Sequence, residues 1–443
     1  MKRIVVLGGG ESGVGTALLA LQKGMDVFLS DSGPLKPTHR EELQKAGIAF
    51  EENGHTEELI LSADEVVKSP GIPEKAYIVK ALRAKGVAII SEIEFASRYT
   101  TAKKICITGS NGKTTTTLLT HHLLCESGIR AELAGNVGTS LARQVSRGNE
   151  PDWYVIELSS FQLDGMYEFK ADIAILTNIT PDHLDRYDYK YENYIRSKFR
   201  ILQNQGENDI FICNPDDPTT IEWLDKVEVG ADLYMVSAKG AARGAYYLDG
   251  RIIIGNEDID VDVETMSIKG LHNIYNGMQA CLAAFRAGAK PEAIKRGVTT
   301  FKNAEHRLEM VRVFEGVEYI NDSKATNVDS AWYALECQTR PIVWIAGGTD
   351  KGNDYTPLLD FVRNKVKALV CLGVDNEKLK QSFGDCVGTI VETSSMEECI
   401  AKSRELANEG DVVLLSPCCA SFDLFNSYIH RGNMFKEVVN NLR

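Results

Sequence analysis

The segment that most constrains the fold is an apolar strand, a glycine loop and a helix start around residue 110. It reads Lys104-Ile-Cys-Ile-Thr-Gly-Ser-Asn-Gly-Lys-Thr. Such glycines turn backbone N–H groups toward a phosphate, and the helix N-terminus adds partial positive charge. Lys113 then reaches the β- and γ-phosphates, and the Thr114 hydroxyl faces Mg²⁺. The alternative is a tight strand–helix turn that contains Gly-Lys-Thr by chance. The complete strand–loop–helix context favours a nucleotide site.

Short β-branched runs alternate with helical patterns along the rest of the chain, in three successive sets. The predicted strands are residues 4–7, 27–29, 66–68 and 88–90, then 104–108, 153–158, 173–177 and 210–213, then 317–321, 342–346, 368–372 and 412–416. This alternation predicts three α/β domains, each with a mainly parallel sheet flanked by helices. We expect a Rossmann-like N-terminal domain (1–97), a P-loop central ATPase domain (98–302) and a Rossmann-like C-terminal domain (303–443).

Composition excludes several classes of protein. The 443 residues carry a net charge of −13, which argues against a generally basic surface for nucleic acid or anionic membrane. The ten cysteines contain no CxxC pair, so a disulfide framework or zinc knuckle is not indicated. The first apolar run breaks at residue 8, and no stretch reaches the roughly 20 apolar residues of a membrane span. We expect a cytoplasmic monomer with no nucleic-acid or membrane partner.

A second glycine motif, Gly8-x-Gly10-x-x-Gly13, follows the first predicted strand, and Asp31 ends the second. This is the pattern of a dinucleotide fingerprint, with a tight turn near a diphosphate and an acid near a ribose. Taken alone it suggests an NAD-dependent oxidoreductase. The same physics fits any nucleotide diphosphate, including a UDP-sugar, and a purely structural glycine turn remains an alternative.

Two further candidates follow strands that neighbour the phosphate loop in sequence. Glu157 ends one apolar strand and His183 follows the next, so both are delivered to the edge that holds Lys113. A carboxylate and an imidazole can ligate Mg²⁺ there, although each can also be an ordinary solvated loop residue. Lys198, judged from its pattern alone, is a helix-surface lysine.

Polar clusters recur in the last third of the chain. Asn273 opens an apolar helix and can contact a base or ribose, or simply cap the helix. Arg307 lies just after the second domain, where a cation can clamp a phosphate. Three polar loops, at residues 321–327, 347–352 and 416–423, each leave a predicted strand of the third domain. Three such loops on one sheet edge predict a binding site.

Together these motifs resemble the Mur ligases of bacterial cell-wall synthesis. Gly109-Ser-Asn-Gly-Lys-Thr is similar to the ATP loop that this family shares with folylpolyglutamate synthetases. More discriminating are Glu157-Leu-Ser-Ser-Phe-Gln-Leu, Asn321-Asp-Ser-Lys-Ala-Thr-Asn and Ser416-Pro-Cys-Cys-Ala-Ser-Phe-Asp. These are similar to the members that add D-glutamate; members that add L-alanine, diaminopimelate or a dipeptide differ at these places.

The resemblance implies ATP-dependent amide formation. ATP phosphorylates the L-alanine carboxylate of UDP-N-acetylmuramoyl-L-alanine, and the amine of D-glutamate attacks the resulting acyl phosphate. The implied cofactors are ATP and two Mg²⁺ ions, with Lys198 carbamylated by CO₂. The first domain then binds a UDP-sugar and not NAD.

The resemblance also implies roles for individual residues. The implied catalytic residues are Lys113, His183 and Lys198, and the implied metal ligands are Thr114, Glu157, His183 and Lys198. The implied ATP contacts are Gly109, Ser110, Asn111, Gly112, Lys113, Thr114, Thr115, Asn273, Arg307 and Asp322. The implied UDP-sugar contacts are Ser12, Asp31, Ser32, Gly71, Asn136 and Gln162, and the implied D-glutamate contacts are Lys324, Thr326, Lys351, Ser416 and Phe425. His183 can instead orient or deprotonate the amine. Three places depart from the commonest family pattern: Ser110, the Glu11-Ser12 pair, and Asp350 beside Lys351.

The competing interpretations belong to different classes. Another Mur ligase or a folylpolyglutamate synthetase-like ligase is the nearest enzyme alternative, although the latter is not expected to carry the N-terminal glycine domain. An NAD-dependent oxidoreductase follows from the first glycine motif alone. A non-catalytic nucleotide switch would keep the phosphate loop but would not need the three polar loops of the third domain.

Overall fold

The computed structural model describes residues 1–148, 150–255 and 259–443 and contains three sheets. The chain forms two compact units. The first comprises residues 1–267 and 273–301 and holds the first two sheets, and the second comprises residues 268–272 and 302–443 and holds the third. Among the helices within the described ranges, none is both long and apolar enough to cross a membrane.

The first sheet has five parallel strands in the order β3-β2-β1-β4-β5. Its strands are β1 (Arg3–Leu7), β2 (Asp26–Ser30), β3 (Ala49–Glu51), β4 (Glu65–Lys68) and β5 (Ala88–Ile90), and its helices are α1 (Glu11–Gln22), α2 (Pro37–Ala46), α3 (Glu57–Leu61), α4 (Tyr77–Lys85) and α5 (Glu92–Ser97). Helices cover both faces, which is why β1 is a continuous apolar run. The strand order reverses between β1 and β4, and ligands of open α/β sheets bind at the carboxyl edge of such a reversal.

The second sheet has nine strands in the order β14-β13-β12-β11-β10-β9-β6-β8-β7. Its strands are β6 (Lys103–Thr108), β7 (Ala131–Gly135), β8 (Trp153–Glu157), β9 (Ile173–Leu176), β10 (Ile210–Cys213), β11 (Asp232–Ser237), β12 (Gly244–Leu248), β13 (Arg251–Ile254) and β14 (Ile259–Asp262), and its helices are α6 (Lys113–Glu126), α7 (Leu141–Ser146), α8 (Ser160–Leu163), α9 (Tyr191–Phe199), α10 (Pro218–Leu224), α11 (Leu271–Arg286) and α12 (Pro291–Thr300). Pairing is parallel from β7 through β12 and antiparallel across β13 and β14. β6 lies between β8 and β9, so the loops after these three strands leave the same edge side by side.

The third sheet has six strands in the order β15-β16-β20-β17-β18-β19. Its strands are β15 (Glu309–Phe314), β16 (Val317–Asn321), β17 (Ile342–Gly347), β18 (Val366–Leu372), β19 (Ile390–Thr393) and β20 (Val412–Cys418), and its helices are α13 (Val328–Glu336), α14 (Leu359–Lys365), α15 (Glu377–Phe383), α16 (Met396–Leu406) and α17 (Tyr428–Asn440). Only β15 is antiparallel to its neighbour. The prediction of three α/β domains with mainly parallel sheets is confirmed.

A buried carboxylate joins the first two sheets within the first unit. Glu94 on α5 is 1% exposed, and its carboxylate accepts hydrogen bonds from the backbone N–H groups of Tyr167, Glu168 and Phe169 at 2.9 to 3.1 Å. The backbone N–H of Ser91 adds a bond to the carbonyl of Gly165 at 2.8 Å. Burial of a polar side chain costs less free energy where its oxygens accept hydrogen bonds in this way. α5 is therefore attached to the chain of the second sheet.

Glu92, two residues earlier, is a second buried carboxylate with fewer partners. Its Oε1 accepts the backbone N–H of Ala142 at 2.5 Å, whereas its Oε2 is buried with no hydrogen-bond partner among the described residues. Burial raises the pKa of Glu92 to about 7. The folded protein therefore holds this proton at pH values where the unfolded chain has released it. Stability is lost as the pH rises from the ordinary pKa of 4.5 through about 7.

We expect Glu92→Gln to flatten the dependence of stability on pH. Between pH 5 and pH 8, titration of Glu92 should cost the wild type about 2 to 3 kcal/mol of its free energy of unfolding. A glutamine does not titrate, so the variant should not show this loss. Urea unfolding of both proteins at several pH values measures this. Glu222→Gln, on the exposed face of α10, is the control and should follow the wild type. Parallel curves for Glu92→Gln and the wild type would contradict the assignment.

Candidate functional site

The phosphate loop has the strand–loop–helix geometry that the sequence predicts, between β6 and α6. Gly109 adopts a φ of +144° and Gly112 a φ of +83°, and a Cβ on Gly109 would lie 1.9 Å from Thr177 Oγ1. Only glycine fits this approach to the neighbouring strand exit. The Lys113 ammonium donates to the carbonyls of Gly109 and Ser110, both at 2.8 Å. Lys113 thus folds back over its own loop, at the place where a phosphate would sit.

The strand next to β6 holds the loop from the other side. The backbone N–H of Ser110 donates to the Asn178 carbonyl at 2.8 Å, and that of Asn111 donates to Asn178 Oδ1 at 3.0 Å. Ser110 Oγ accepts the backbone N–H of Thr180 at 2.9 Å and lies 3.0 Å from the hydroxyl of Tyr194. Ser110, one of the departures from the family pattern, uses its hydroxyl to fix the loop. The following Thr114 and Thr115 are buried in the first turn of α6.

Lys198 on α9 is buried, 2% exposed, and not a surface lysine. Its ammonium donates to the Gly109 carbonyl at 2.8 Å and to Thr108 Oγ1 at 3.2 Å. Burial and the nearby Lys113 ammonium hold its pKa well below the ordinary range, against the opposing pull of Asp182, Glu157 and Asp164. The pattern-based interpretation was wrong because the phosphate loop, distant in sequence, covers this face of α9.

Glu157 ends β8 and is 2% exposed, at the edge that holds the phosphate loop. Its carboxylate accepts from Asn136 Nδ2 at 2.8 Å, and its carbonyl accepts the backbone N–H of Asn136 at 2.9 Å. Two predicted residues from different groups, one metal ligand and one UDP-sugar contact, are therefore in direct contact. Gln162 lies nearby in sequence, where its Oε1 accepts from Ser159 in the capping box of α8.

His183 follows β9 in a left-handed conformation, with φ of +52°, which is uncommon for a residue other than glycine. Its ring packs edge-on against Phe161, with centroids 5.2 Å apart. The same phenyl ring carries the Arg186 guanidinium 4.3 Å from its centroid. Arg186 also donates to the carbonyl of Pro70, in the loop after β4 of the first sheet. No sequence motif marks Phe161 or Arg186 as partners of His183.

The donor chemistry of this edge fits Mg²⁺. Within residues 1–148, 150–255 and 259–443, no three His, Cys, Asp or Glu side chains form a metal-binding group. The four predicted ligands include one carboxylate, one imidazole and one hydroxyl, and the fourth is the low-pKa amine of Lys198. A carbamate on that amine would supply the additional oxygen ligand that a hard cation prefers.

Asn273 lies within the first turn of α11, which begins at Leu271, so it is not the helix cap. It is 3% exposed, and its Oδ1 accepts from Asn276 Nδ2 at 3.0 Å. Asn276 in turn packs on the phosphate loop, where a Cβ on Gly112 would lie 2.3 Å from its Oδ1. The helix that carries Asn273 is therefore in contact with the predicted ATP site.

The first sheet presents the predicted UDP-sugar residues around its strand-order reversal. Asp31 accepts the backbone N–H of Gly9 at 2.6 Å and that of Gly33 at 2.8 Å, which fixes the glycine loop after β1. Ser12 lies in the first turn of α1. A cleft of about 420 Å³ opens at the same edge. It is lined by Ser32, His55, Glu57, Gly71, Ile72, Pro73, Ala76, Tyr77 and Ile78. The structure brings the predicted contacts Ser32 and Gly71 together there.

In the second unit, the three polar loops leave the adjacent strands β16, β20 and β17. Ser416 donates to the Asp322 carboxylate at 2.9 Å, which joins the first and third loops. Burial raises the pKa of Asp322 to about 7, although the Ser416 bond and the Arg307 charge favour the ionised form. Arg307 Nε is buried with no hydrogen-bond partner among the described residues, and its chain neighbour Leu308 donates its N–H to Asp322 at 3.2 Å.

A residue that the sequence analysis missed ties the same loops together. Arg431 on α17 is 1% exposed and donates to Ser323, Gly347 and Cys419, one residue from each loop. Because no motif surrounds it, only the topology of the third sheet reveals its position. Burial lowers its pKa to about 10, so the guanidinium remains charged at neutral pH.

The predicted D-glutamate residues surround these loops. Lys324 lies 5.7 Å from the ring centroid of Tyr428, Thr326 is half-buried, Phe425 is buried and Lys351 is exposed. Asp350 is hydrogen-bonded to its own loop and to α15. Its carboxylate accepts from the N–H groups of Gly352 and Asn353, the Tyr355 hydroxyl and Lys378, at 2.7 to 3.0 Å.

These four bonds to Asp350 order the loop that carries Lys351. The Asp350 carboxylate therefore stabilises the loop, which gives a structural reason for this departure from the family pattern.

Family models match nearly the whole chain. The Mur ligase MurD-like N-terminal domain matches residues 2–91, the Mur ligase middle domain matches 107–284, and the Mur ligase glutamate ligase domain matches 306–419. Two similar proteins are UDP-N-acetylmuramoylalanine–D-glutamate ligases. That of Christiangramia forsetii is 51% identical and that of Bacteroides fragilis 52% identical, and each alignment covers 100% of both chains.

Solved structures show the same fold at much lower identity. UDP-N-acetylmuramate-alanine ligase from Thermotoga maritima has a TM-score of 0.65 at 18% identity, covering 99% of each chain. The bifunctional folylpolyglutamate synthase/dihydrofolate synthase from Yersinia pestis has a TM-score of 0.57 at 16% identity, covering 79% of this chain and 92% of its own. At these identities the likeness concerns the fold alone.

Proposed function

Since the chain belongs to the Mur ligase family, we propose that it joins D-glutamate to UDP-N-acetylmuramoyl-L-alanine, converting ATP to ADP and phosphate. The observation that carries this proposal is the identity of about half, over the full length, with ligases that bear this activity in their names. The assignment to peptidoglycan precursor synthesis follows from the same relatives. An NAD-dependent oxidoreductase or a nucleotide switch would leave the glutamate ligase domain at residues 306–419 without a role.

The proposed chemistry needs anions to be brought together and neutralised. Lys113 leaves its carbonyl partners and pairs with the β- and γ-phosphates, while the loop and the N-terminus of α6 bind the phosphate oxygens. The alanine carboxylate attacks the γ-phosphorus, which gives an acyl phosphate and ADP. The amine of D-glutamate then attacks the acyl carbon, and phosphate leaves. Arg307, Asn273 and Asp322 are the further ATP contacts that we propose.

Thr114, Glu157, His183 and a carbamylated Lys198 are the residues that would hold Mg²⁺. Bound there, the ions would neutralise phosphate charge during phosphoryl transfer. The low pKa of Lys198 supports carbamylation, because CO₂ reacts with a neutral amine and a buried ammonium would be an unfavourable neighbour of a dication. As an alternative to metal binding, we propose that His183, partly exposed beside Phe161, orients or deprotonates the incoming amine.

The remaining assignments divide the chain by substrate. We propose that residues 1–97 bind the UDP-sugar through Ser12, Asp31, Ser32 and Gly71, with Asn136 and Gln162 nearer the muramoyl end. Residues 98–302 bind ATP, and residues 303–443 bind D-glutamate through Lys324, Thr326, Lys351, Ser416 and Phe425.

Ten free thiols suit a reducing cytoplasm. The monomeric state is a prediction that light scattering after gel filtration can test.

Phosphate release with purified UDP-N-acetylmuramoyl-L-alanine and ATP tests the function. D-glutamate should support turnover at least about 100-fold better than L-alanine or lysine, because Lys324 and Lys351 offer cations for two carboxylates. Diaminopimelate has two carboxylates but adds a second ammonium that these cations repel, so it should be equally poor. L-glutamate reports on stereochemistry, and omission of the UDP-sugar gives the background ATPase rate. Equal rates with lysine or diaminopimelate would assign the chain to a different ligase. Reduction of NAD without phosphate release would instead support the interpretation as an oxidoreductase.

A further inference from the structure

Glu11 is an unusual residue for its position beside a nucleotide diphosphate. It is the first residue of α1 and belongs to the glycine loop of the proposed UDP-sugar site. An anionic ligand at a helix N-terminus is favoured by the helix dipole. A carboxylate in the same turn opposes that ligand by charge repulsion unless another group neutralises it. The structure shows which group does so.

Arg143 on α7 pairs with Glu11 and so offsets its charge. Its Nε donates to Glu11 Oε1 at 2.7 Å, and its two terminal nitrogens donate to both carboxylate oxygens of Glu42 on α2. The Arg143 side chain is only 13% exposed, so solvent screens these pairs less than it screens surface ion pairs. Ser140, the cap of α7, adds contacts from its N–H and hydroxyl to Glu11 Oε1 at 3.5 and 3.4 Å.

The same segment reaches the predicted catalytic edge at its other end. Asn136, four residues before Ser140, donates through both its backbone and its side chain to Glu157. A stretch of five residues therefore has one end attached to a proposed metal ligand and the other attached to the proposed diphosphate loop. Both attachments lie within the first compact unit.

We propose that Arg143 is a positioning residue for the UDP-sugar: it pairs with Glu11 beside the proposed diphosphate site, at the end of the segment 136–140 that is remote from Glu157. The proposal rests on the proposed function for the identity of the sugar nucleotide. Arg143 need not touch the substrate. It acts through Glu11, whose carboxylate it pairs with while also pairing with Glu42.

Calorimetric titration with UDP and steady-state kinetics test this role with five variants. Arg143→Gln should weaken UDP binding and raise KM for the UDP-sugar by about tenfold or more, because the Glu11 carboxylate then faces the diphosphate unneutralised. KM for ATP and for D-glutamate should change by less than about twofold. Arg143→Lys, which keeps the charge, should stay near the wild type. Glu11→Gln with Arg143→Gln should recover most of the lost affinity.

The double variant separates charge neutralisation from a purely structural role, since a structural role predicts no recovery. Arg130→Gln breaks an exposed ion pair with Asp152 and is the matched control, with UDP affinity expected to be unchanged. If Arg143→Gln does not fold, Glu11→Gln alone still decides, because it should bind UDP at least as tightly as the wild type. Unchanged UDP affinity in Arg143→Gln, or weaker affinity in Glu11→Gln, would overturn the proposal.

These outcomes differ from a failure of the proposed function. UDP binding is measured without turnover, so an absence of D-glutamate ligation with normal UDP affinity would reject the ligase assignment and leave the Arg143 test intact. A wild type that binds UDP-sugar and ligates D-glutamate, with an Arg143→Gln variant indistinguishable from it, would reject only the role of Arg143.

Discussion

Lys113→Ala is expected to abolish phosphate release while leaving UDP binding intact. Lys113 already occupies the centre of the phosphate loop, where it bonds to the carbonyls of Gly109 and Ser110. Without the ammonium, the negative charge of the ATP phosphates and of the transferred phosphoryl group is no longer compensated. We therefore expect turnover to fall about 1000-fold. Phosphate release assays give the rate, and UDP titration shows that the first sheet is unaffected.

Lys103→Ala is the matched control for this prediction, because Lys103 is exposed at the start of the same strand and lies over the Trp153 ring. It should retain wild-type turnover. Near-normal turnover in Lys113→Ala would mean that the loop between β6 and α6 is not the ATP site.

Lys198→Ala is expected to lose nearly all activity, a fall of about 100-fold or more. The buried amine is the only candidate for a carbamate among the predicted metal ligands, and alanine removes that oxygen ligand altogether. Formate or acetate should restore part of the activity by occupying the space of the lost carbamate. In the wild type, activity should fall in buffer depleted of CO₂ and return when bicarbonate is added, because carbamate formation is reversible.

Arg196→Ala controls for damage to the helix, since Arg196 lies on the exposed side of α9 two residues away. Its activity should match that of the wild type. Full activity of Lys198→Ala, or a crystal structure of the active enzyme with an unmodified Lys198, would end the carbamate hypothesis.

The architecture was predictable because parallel strands covered on both faces are short apolar runs that stand out against helical patterns. All twelve predicted strands lie within or overlap strands of the structure. The missed strands are of another kind. The eight missed strands, β3, β7, β11 to β15 and β19, each contain exposed or half-buried positions, so they lack the continuous buried apolar signal.

The candidate site was predictable where motifs follow strands, because parallel topology brings strand ends to one edge. The loops after β16, β20 and β17 illustrate this. Burial of single charged residues was not predictable, since it depends on which neighbour covers them. Lys198 is buried by the phosphate loop and Arg431 by three loops distant in sequence, and neither contact has a local pattern. The predicted boundary at residue 97 has no test in this structure.

The contacts of Glu94 bear on how this chain can be recombined with others. Its three acceptor bonds lie between α5 and residues 167–169, so cutting the gene at residue 97 would leave a carboxylate on one fragment and its three backbone N–H donors on the other. Each half would then carry unsatisfied polar groups that cost free energy wherever they stay buried. A chimera that exchanges the nucleotide-sugar module should therefore move its crossover upstream of Ser91, so that α5 is inherited from the parent that supplies the second sheet.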